Sequence, residues 1–249
     1  MMNLFAAALV AASAFFGAEE TPGSVKKPAP SVRYGETVAL GKGTLRSFVR
    51  LDAQGNPAQI GVAVSEAALN SLPAEDKFLV VHMPAGSEKT LIQHVSFNWM
   101  PHGHEPDGVY NVPHFDCHFY MTSNEERMGI VADDPRFAKN PEPEYVPQGF
   151  VRVHPLPQMG VHWVDPTSTE FQGKPFTTTF IYGSLDGRVT FLEPMFTLDF
   201  LRKVKDERLP VKQPQKVART GYYPTEYRYV YNAAEKQYEI ILDKLQNRP

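Results

Sequence analysis

Pro113-His114-Phe115-Asp116-Cys117-His118-Phe119-Tyr120-Met121 alternates two kinds of side chain with a period of two. In an extended strand alternate residues share a face, so His114, Asp116, His118 and Tyr120 point one way while Phe115, Cys117, Phe119 and Met121 point the other. A row of imidazole, carboxylate and phenol backed by large apolar groups describes a polar pocket inside a β structure. It is not the pattern of a strand that turns a plain polar face to water. A divalent metal ion is the occupant such a row suits best.

Outward from this stretch, strand-like segments recur at short intervals: 45–51, 59–64, 78–82, 90–99, 161–164, 177–182, 188–192, 225–231 and 237–242. Asp52-Ala53-Gln54-Gly55-Asn56 has the composition of a hairpin turn. Short helices are predicted at 65–71, with Ser65 as cap, at 123–131 and at 197–205. Twenty-two prolines and seventeen glycines are spread through the chain and favour many short strands and turns. The expected fold is therefore mainly β, a barrel or a sandwich, with a few short helices. Tyr227, Tyr229 and Tyr231 alternate on one face, a pattern that predicts cross-strand packing.

The 249 residues, 42% apolar and 12% aromatic, suffice for one large β domain. Residues 4–16 form an apolar run followed by Gly17-Ala18-Glu19-Glu20, which reads as a signal peptide over 1–18, although no Lys or Arg precedes the run. The run is too short to span a bilayer, so no stable membrane insertion follows removal of the signal. The alternative is a frayed or buried N-terminal helix. Residues 19–38 read as a flexible lead-in, 39–249 as the domain, and the proline-rich 133–157 as a long loop. Export implies a periplasmic or secreted protein, and the single cysteine, Cys117, permits no intrachain disulfide. A net charge of -3 gives no electrostatic case for nucleic acid.

Four of the eight histidines lie between residues 101 and 120. Residues two apart on a strand face are about 6.6 Å apart and residues four apart about 13 Å, so His114 and His118 share an ion only if the strand bends. The most economical metal site takes His118, His104 from the preceding loop, His162 of Gly160-Val161-His162-Trp163, and Glu193 of Phe191-Leu192-Glu193-Pro194. Imidazoles and one carboxylate with an open position suit Zn, Fe(II) or Mn(II). Asp116 is placed to orient a ligand histidine, His114 or Asp116 to move protons, and Tyr120 to donate to a bound oxygen. His82, His94 and His154 read as ordinary core or surface residues. The cupin motifs do not fit, since Glu105 directly follows His104. His-Glu-x-x-His, Gly-x-Ser-x-Gly, Walker and dinucleotide motifs are absent from the sequence.

The run from Gly103 to Tyr120, with Gly160–Trp163, Thr179–Ser184 and Glu193–Met195, resembles a family of exported bacterial proteins that carry a domain of unknown function. The described relative there is a stress protein of a thermophile, regulated by an extracytoplasmic sigma factor. The resemblance covers roughly residues 41–201 and implies a β-rich fold, export and a homo-oligomer, without an established reaction. Cys117 stands where an aromatic is expected. Two functions follow as expectations: a metal-dependent hydrolase, lyase or oxygenase acting on a small polar substrate, or a non-enzymatic envelope stress or ligand-binding protein whose metal, if any, is structural.

Overall fold

The computed structural model describes residues 30–249; the segment 1–18, read above as a signal peptide, lies outside them. The first strands are β1 (Ser31–Leu40), β2 (Gly43–Leu51), β3 (Pro57–Ser65), β4 (Lys77–His82) and β5 (His94–Met100). They are followed by β6 (His114–Tyr120), β7 (Val151–Leu156), β8 (Gly160–Val164), β9 (Thr178–Leu185) and β10 (Arg188–Thr197). The chain closes with β11 (Asp206–Pro210), β12 (Gly221–Tyr223), β13 (Glu226–Asn232), β14 (Gln237–Asp243) and β15 (Gln246–Arg248). Three short helices interrupt them: α1 (Glu66–Leu69), α2 (Asn124–Met128) and α3 (Leu198–Lys203). Ser65, Ser123 and Thr197 cap these helices by accepting from Ala68, Glu126 and Phe200 N–H, satisfying donors the first turn leaves free.

One sheet runs β1-β2-β3-β14-β13-β11 and the other β4-β5-β6-β10-β9-β8-β7, and all their pairings are antiparallel. Among the described residues both sheets end in unpaired edges, so the architecture is sandwich-like and not a closed barrel. Two expectations change with it. The sheet begins at Ser31, inside the stretch read as a flexible lead-in, and β7 lies inside the stretch read as a long loop.

The two sheets meet through their apolar rows. Phe115, Cys117 and Phe119 of β6, Phe180 of β9 and Phe196 of β10 share one buried cluster with Val62, Tyr227, Tyr229 and Ile240 of the opposing sheet. Phe196 meets Tyr229 at 4.9 Å and Phe180 meets Tyr227 at 5.0 Å between ring centroids. The Tyr229 hydroxyl is satisfied by Thr178 Oγ1 at 2.8 Å across the layer. Tyr227 and Tyr229 thus serve packing, as their alternation predicted, and Tyr231 packs beside Tyr238.

An antiparallel sheet can leave its second face to water, but every residue of β6 is buried. Chain segments between strands cover that face. Tyr110, Phe171 and Phe176 pack with Ile181 and Met195, and Ile130 and Phe137 pack with Val161 and Leu185. The polar row of β6 is therefore enclosed between the sheet and this covering layer. No described helix is long and apolar enough to cross a membrane.

Candidate metal centre

Sheet register decides which polar groups meet. On one side of β6, Ser96 of β5 is opposite His118, Asn98 opposite Asp116, and His94 opposite Tyr120. On the other side the register runs from Phe191 opposite Tyr120 to Thr197 opposite His114, which sets Glu193 of β10 beside His118. His162 of β8 faces Gly183 of β9, which has no side chain to stand between His162 and β10. In consequence His118, His162 and Glu193 converge, although they come from three strands.

The Glu193 carboxylate lies between two imidazoles, 3.2 Å from His118 Nε2 and 3.7 Å from His162 Nε2. One donor atom from each of the three falls within 4.8 Å of the others. All three side chains are buried, with exposures of 2%, 9% and 3% for His118, His162 and Glu193. Yet, among the described residues, both nitrogens of His118, Nδ1 of His162 and Oε2 of Glu193 have no hydrogen-bond partner. Buried polar atoms left in that state cost about 1–3 kcal/mol each, so close but misaligned contacts call for a further group. Bonds of about 2.1 Å to one central ion place neighbouring donors roughly 3.0–3.5 Å apart, in octahedral or tetrahedral geometry. The 3.2 Å separation falls in that range and the 3.7 Å separation lies just beyond it, so an ion would draw His162 slightly inward.

Burial, the main cause, pulls the His118 imidazole down to about 3 and the His162 imidazole down to about 4. Both rings are therefore neutral at pH 7 and offer lone pairs. Burial, aided by the negative charge of Asp116, pushes the Glu193 carboxyl well above the usual range. Without a cation, burial disfavours the carboxylate form of Glu193.

A second trio lies one step along β6. Asp116 Oδ1 is 3.1 Å from His114 Nε2 and Oδ2 is 3.4 Å from His104 Nε2. Burial alone would raise the Asp116 carboxyl, but the two histidine side chains hold it well below the usual range. His104 shows the matching change. Burial pulls it down, contact with Asp116 outweighs that, and its pKa is raised. The structure thus places His104 with His114 and Asp116, apart from the other proposed ligands, because the chain between β5 and β6 folds back over the near end of β6. Asp116 likewise faces His104 and His114 and leaves His118 Nδ1 without a partner.

Tyr120 extends the row past His118, its ring stacked at 5.7 Å and 7°. Its hydroxyl is buried without a hydrogen-bond partner, and burial raises its pKa, so it stays a phenol able to donate. Two neighbours escaped the sequence reading. His94 stacks on the Tyr120 ring at 4.9 Å, and the Arg127 guanidinium carbon lies 5.4 Å from that ring's centroid. The signal for His94 was its position in a strand next to β6, visible only once the pairing is known. His82 and His154 are exposed, as ordinary surface residues are.

Phe191 forms the apolar wall, 5.1 Å from each of the rings of His118, Tyr120 and His162. Its own ring occupies the space above Gly183, where an added Cβ would lie 1.9–2.2 Å from three ring carbons. Gly183→Ala must push this wall into the histidines. We expect a loss of about 1–3 kcal/mol in unfolding free energy by urea titration, the usual cost of overpacking, together with weakened metal binding. Unchanged stability would show that the Phe191 wall has room to move.

The model of the family described as TTHB210-like, hypothetical protein TTHB210, matches residues 52–99. That segment runs from the β2–β3 turn to near the end of β5 and contributes Ser96 and Asn98 beside the polar row, but none of the six donor residues. No curated protein and no solved structure matches the chain. The chain is similar, over that segment, to a family whose function is unknown.

Proposed function

We propose that this is a metalloprotein in which His118 Nε2, His162 Nε2 and the Glu193 carboxylate hold one divalent ion of the Zn, Fe(II) or Mn(II) class. The observation that carries this reading is the set of buried donors that approach one another while His118 Nε2 and Glu193 Oε2 find no hydrogen-bond partner among the described residues. Two neutral imidazoles and one carboxylate form a borderline donor set, suited to those ions rather than to Ca or Mg. Enclosure between the sheet and its covering layer favours an ion that ties β6, β8 and β10 together over one that turns over substrate. A cleft of about 240 Å³ opens elsewhere, beside Met121, Tyr182, Arg219 and Tyr223, and none of the six donors lines it. The same reading places the protein outside the cytoplasm, on the strength of the apolar run at residues 4–16.

Elemental analysis of protein purified without a histidine tag tests the assignment. The parent chain should carry metal stoichiometrically at this site, and His118→Ala and His162→Ala should each lose that equivalent. Metal retained unchanged in both variants would overturn the assignment. N-terminal sequencing of the protein recovered from its native host tests export, which a retained residue 1 would contradict.

A further inference from the structure

The trio at the near end of β6 carries an independent sign of cation binding. His104 donates Nδ1–H to the Glu105 carbonyl at 2.6 Å, and His114 donates Nδ1–H to the Val112 carbonyl at 2.7 Å. A carbonyl oxygen can only accept, so these contacts put a proton on each Nδ1. In a neutral ring Nε2 then carries the lone pair, and both Nε2 atoms face the Asp116 carboxylate. Lone pairs pointed at anionic oxygens repel unless a positive charge lies among them, and a proton on His104 answers only the Oδ2 contact, leaving His114 Nε2 against Oδ1. His114 Nε2 and Asp116 Oδ1 are also buried without a hydrogen-bond partner, on side chains 0% and 6% exposed. A histidine anchored through one nitrogen to a backbone carbonyl, with the other turned to a carboxylate cluster, is the usual posture of a metal ligand.

We propose that His104 Nε2, His114 Nε2 and an Asp116 oxygen form a second divalent-cation site, distinct from the one at His118, His162 and Glu193. It does not depend on the inner site being filled. Asp116 and His118 are two residues apart on one strand face, about 6.6 Å, whereas two metal ions that share a bridging ligand sit roughly 3.5–4 Å apart. The two sites are therefore separate mononuclear centres. They also differ in access. His104 is 37% exposed, while every donor of the inner group is buried. An outer ion keeps coordination positions open towards solvent on the His104 side. With one carboxylate against a double positive charge, the outer centre retains a net charge of about +1, so the open positions take water or a single small anion.

Cobalt(II), whose visible absorption reports coordination, is the probe for the full chain and for His104→Gln and His162→Gln. His104 lies in an exposed connection, so its replacement should leave the near-ultraviolet circular dichroism unchanged. The parent should bind two equivalents and each variant one, with the outer affinity reduced about 100-fold or more in His104→Gln. Azide should alter the spectrum of His162→Gln, which keeps the outer ion, and leave that of His104→Gln unchanged. A single equivalent in the parent, untouched by His104→Gln, would overturn the outer site. A single equivalent lost in His104→Gln and kept in His162→Gln would support the outer site and remove the inner one. No binding at all would overturn both, and a His162→Gln spectrum indifferent to azide would overturn the open position.

Discussion

Glu193→Gln is expected to raise the melting temperature of the metal-free protein at pH 8 and to remove the inner-site share of the increase that Zn(II) gives the parent. The carboxyl is raised far above its unfolded value near 4.3 by burial and by Asp116, so the folded chain holds a proton that the unfolded chain releases. Where the folded state binds more protons, stability falls as pH rises, by up to about 1.4 kcal/mol per pH unit, from the unfolded pKa until the folded group ionises. Glutamine has no proton to lose, and its amide can donate to the His118 Nε2 lone pair that faces it. For a chain of this size 1 kcal/mol is worth roughly 2–4 °C, so a gain of several degrees should be seen by calorimetry in chelator. Zn(II) at about 1,000 times its dissociation constant adds about 4 kcal/mol, or roughly 10 °C, to the parent. The variant, lacking the anionic ligand, should show no such inner-site gain. A metal-free variant less stable than the parent, or one with the full Zn(II) increment, contradicts this account of Glu193.

Acid should destabilise the metal-free protein well before its surface carboxylates titrate. Burial depresses His118 to about 3, and His162 and His94 each to about 4, against about 6.5 when unfolded. For depressed histidines the stabilisation is complete above the unfolded pKa and is lost as pH falls towards the folded one. Below pH 6.5 the unfolded chain takes up three protons that the folded chain refuses. Glu193 acts in the opposite direction above about 4.3, offsetting one of the three. These four groups together give a net slope of about 2–3 kcal/mol per pH unit at its steepest, between pH 6 and 5. Urea unfolding in chelator at pH 7, 6 and 5 measures it. A flat profile over that interval would mean that the rings accept protons inside the fold.

The mainly-β class and most strand positions were legible because period-two alternation and helix caps are local. Phe115, Cys117 and Phe119 could be assigned to the core without knowing what they meet, and Ser65 marked the start of α1. What escaped was carried by edges and exceptions. β1 and β7 are exposed edge strands, so neither shows the apolar alternation that identifies a strand, and Pro155 sits within β7 as an edge permits. β10 was expected to stop at Leu192 because Pro194 normally ends a central strand. It continues to Thr197, with the ladder to β6 interrupted at Glu193 and Pro194. That extension puts Glu193 in mid-sheet beside His118. The composition of the site marked the right neighbourhood, but the division of its donors into two trios depends on how residues 101–113 fold back. No spacing along the chain encodes that path.

One ion shared by His118, His162 and Glu193 is what separates this metalloprotein from a bare β-sandwich. Anomalous diffraction at the zinc edge, from crystals of the parent chain loaded with Zn(II), measures this directly. A peak is expected about 2.0–2.2 Å from His118 Nε2, His162 Nε2 and a Glu193 oxygen. A fully loaded crystal with no anomalous density among these three residues would contradict it.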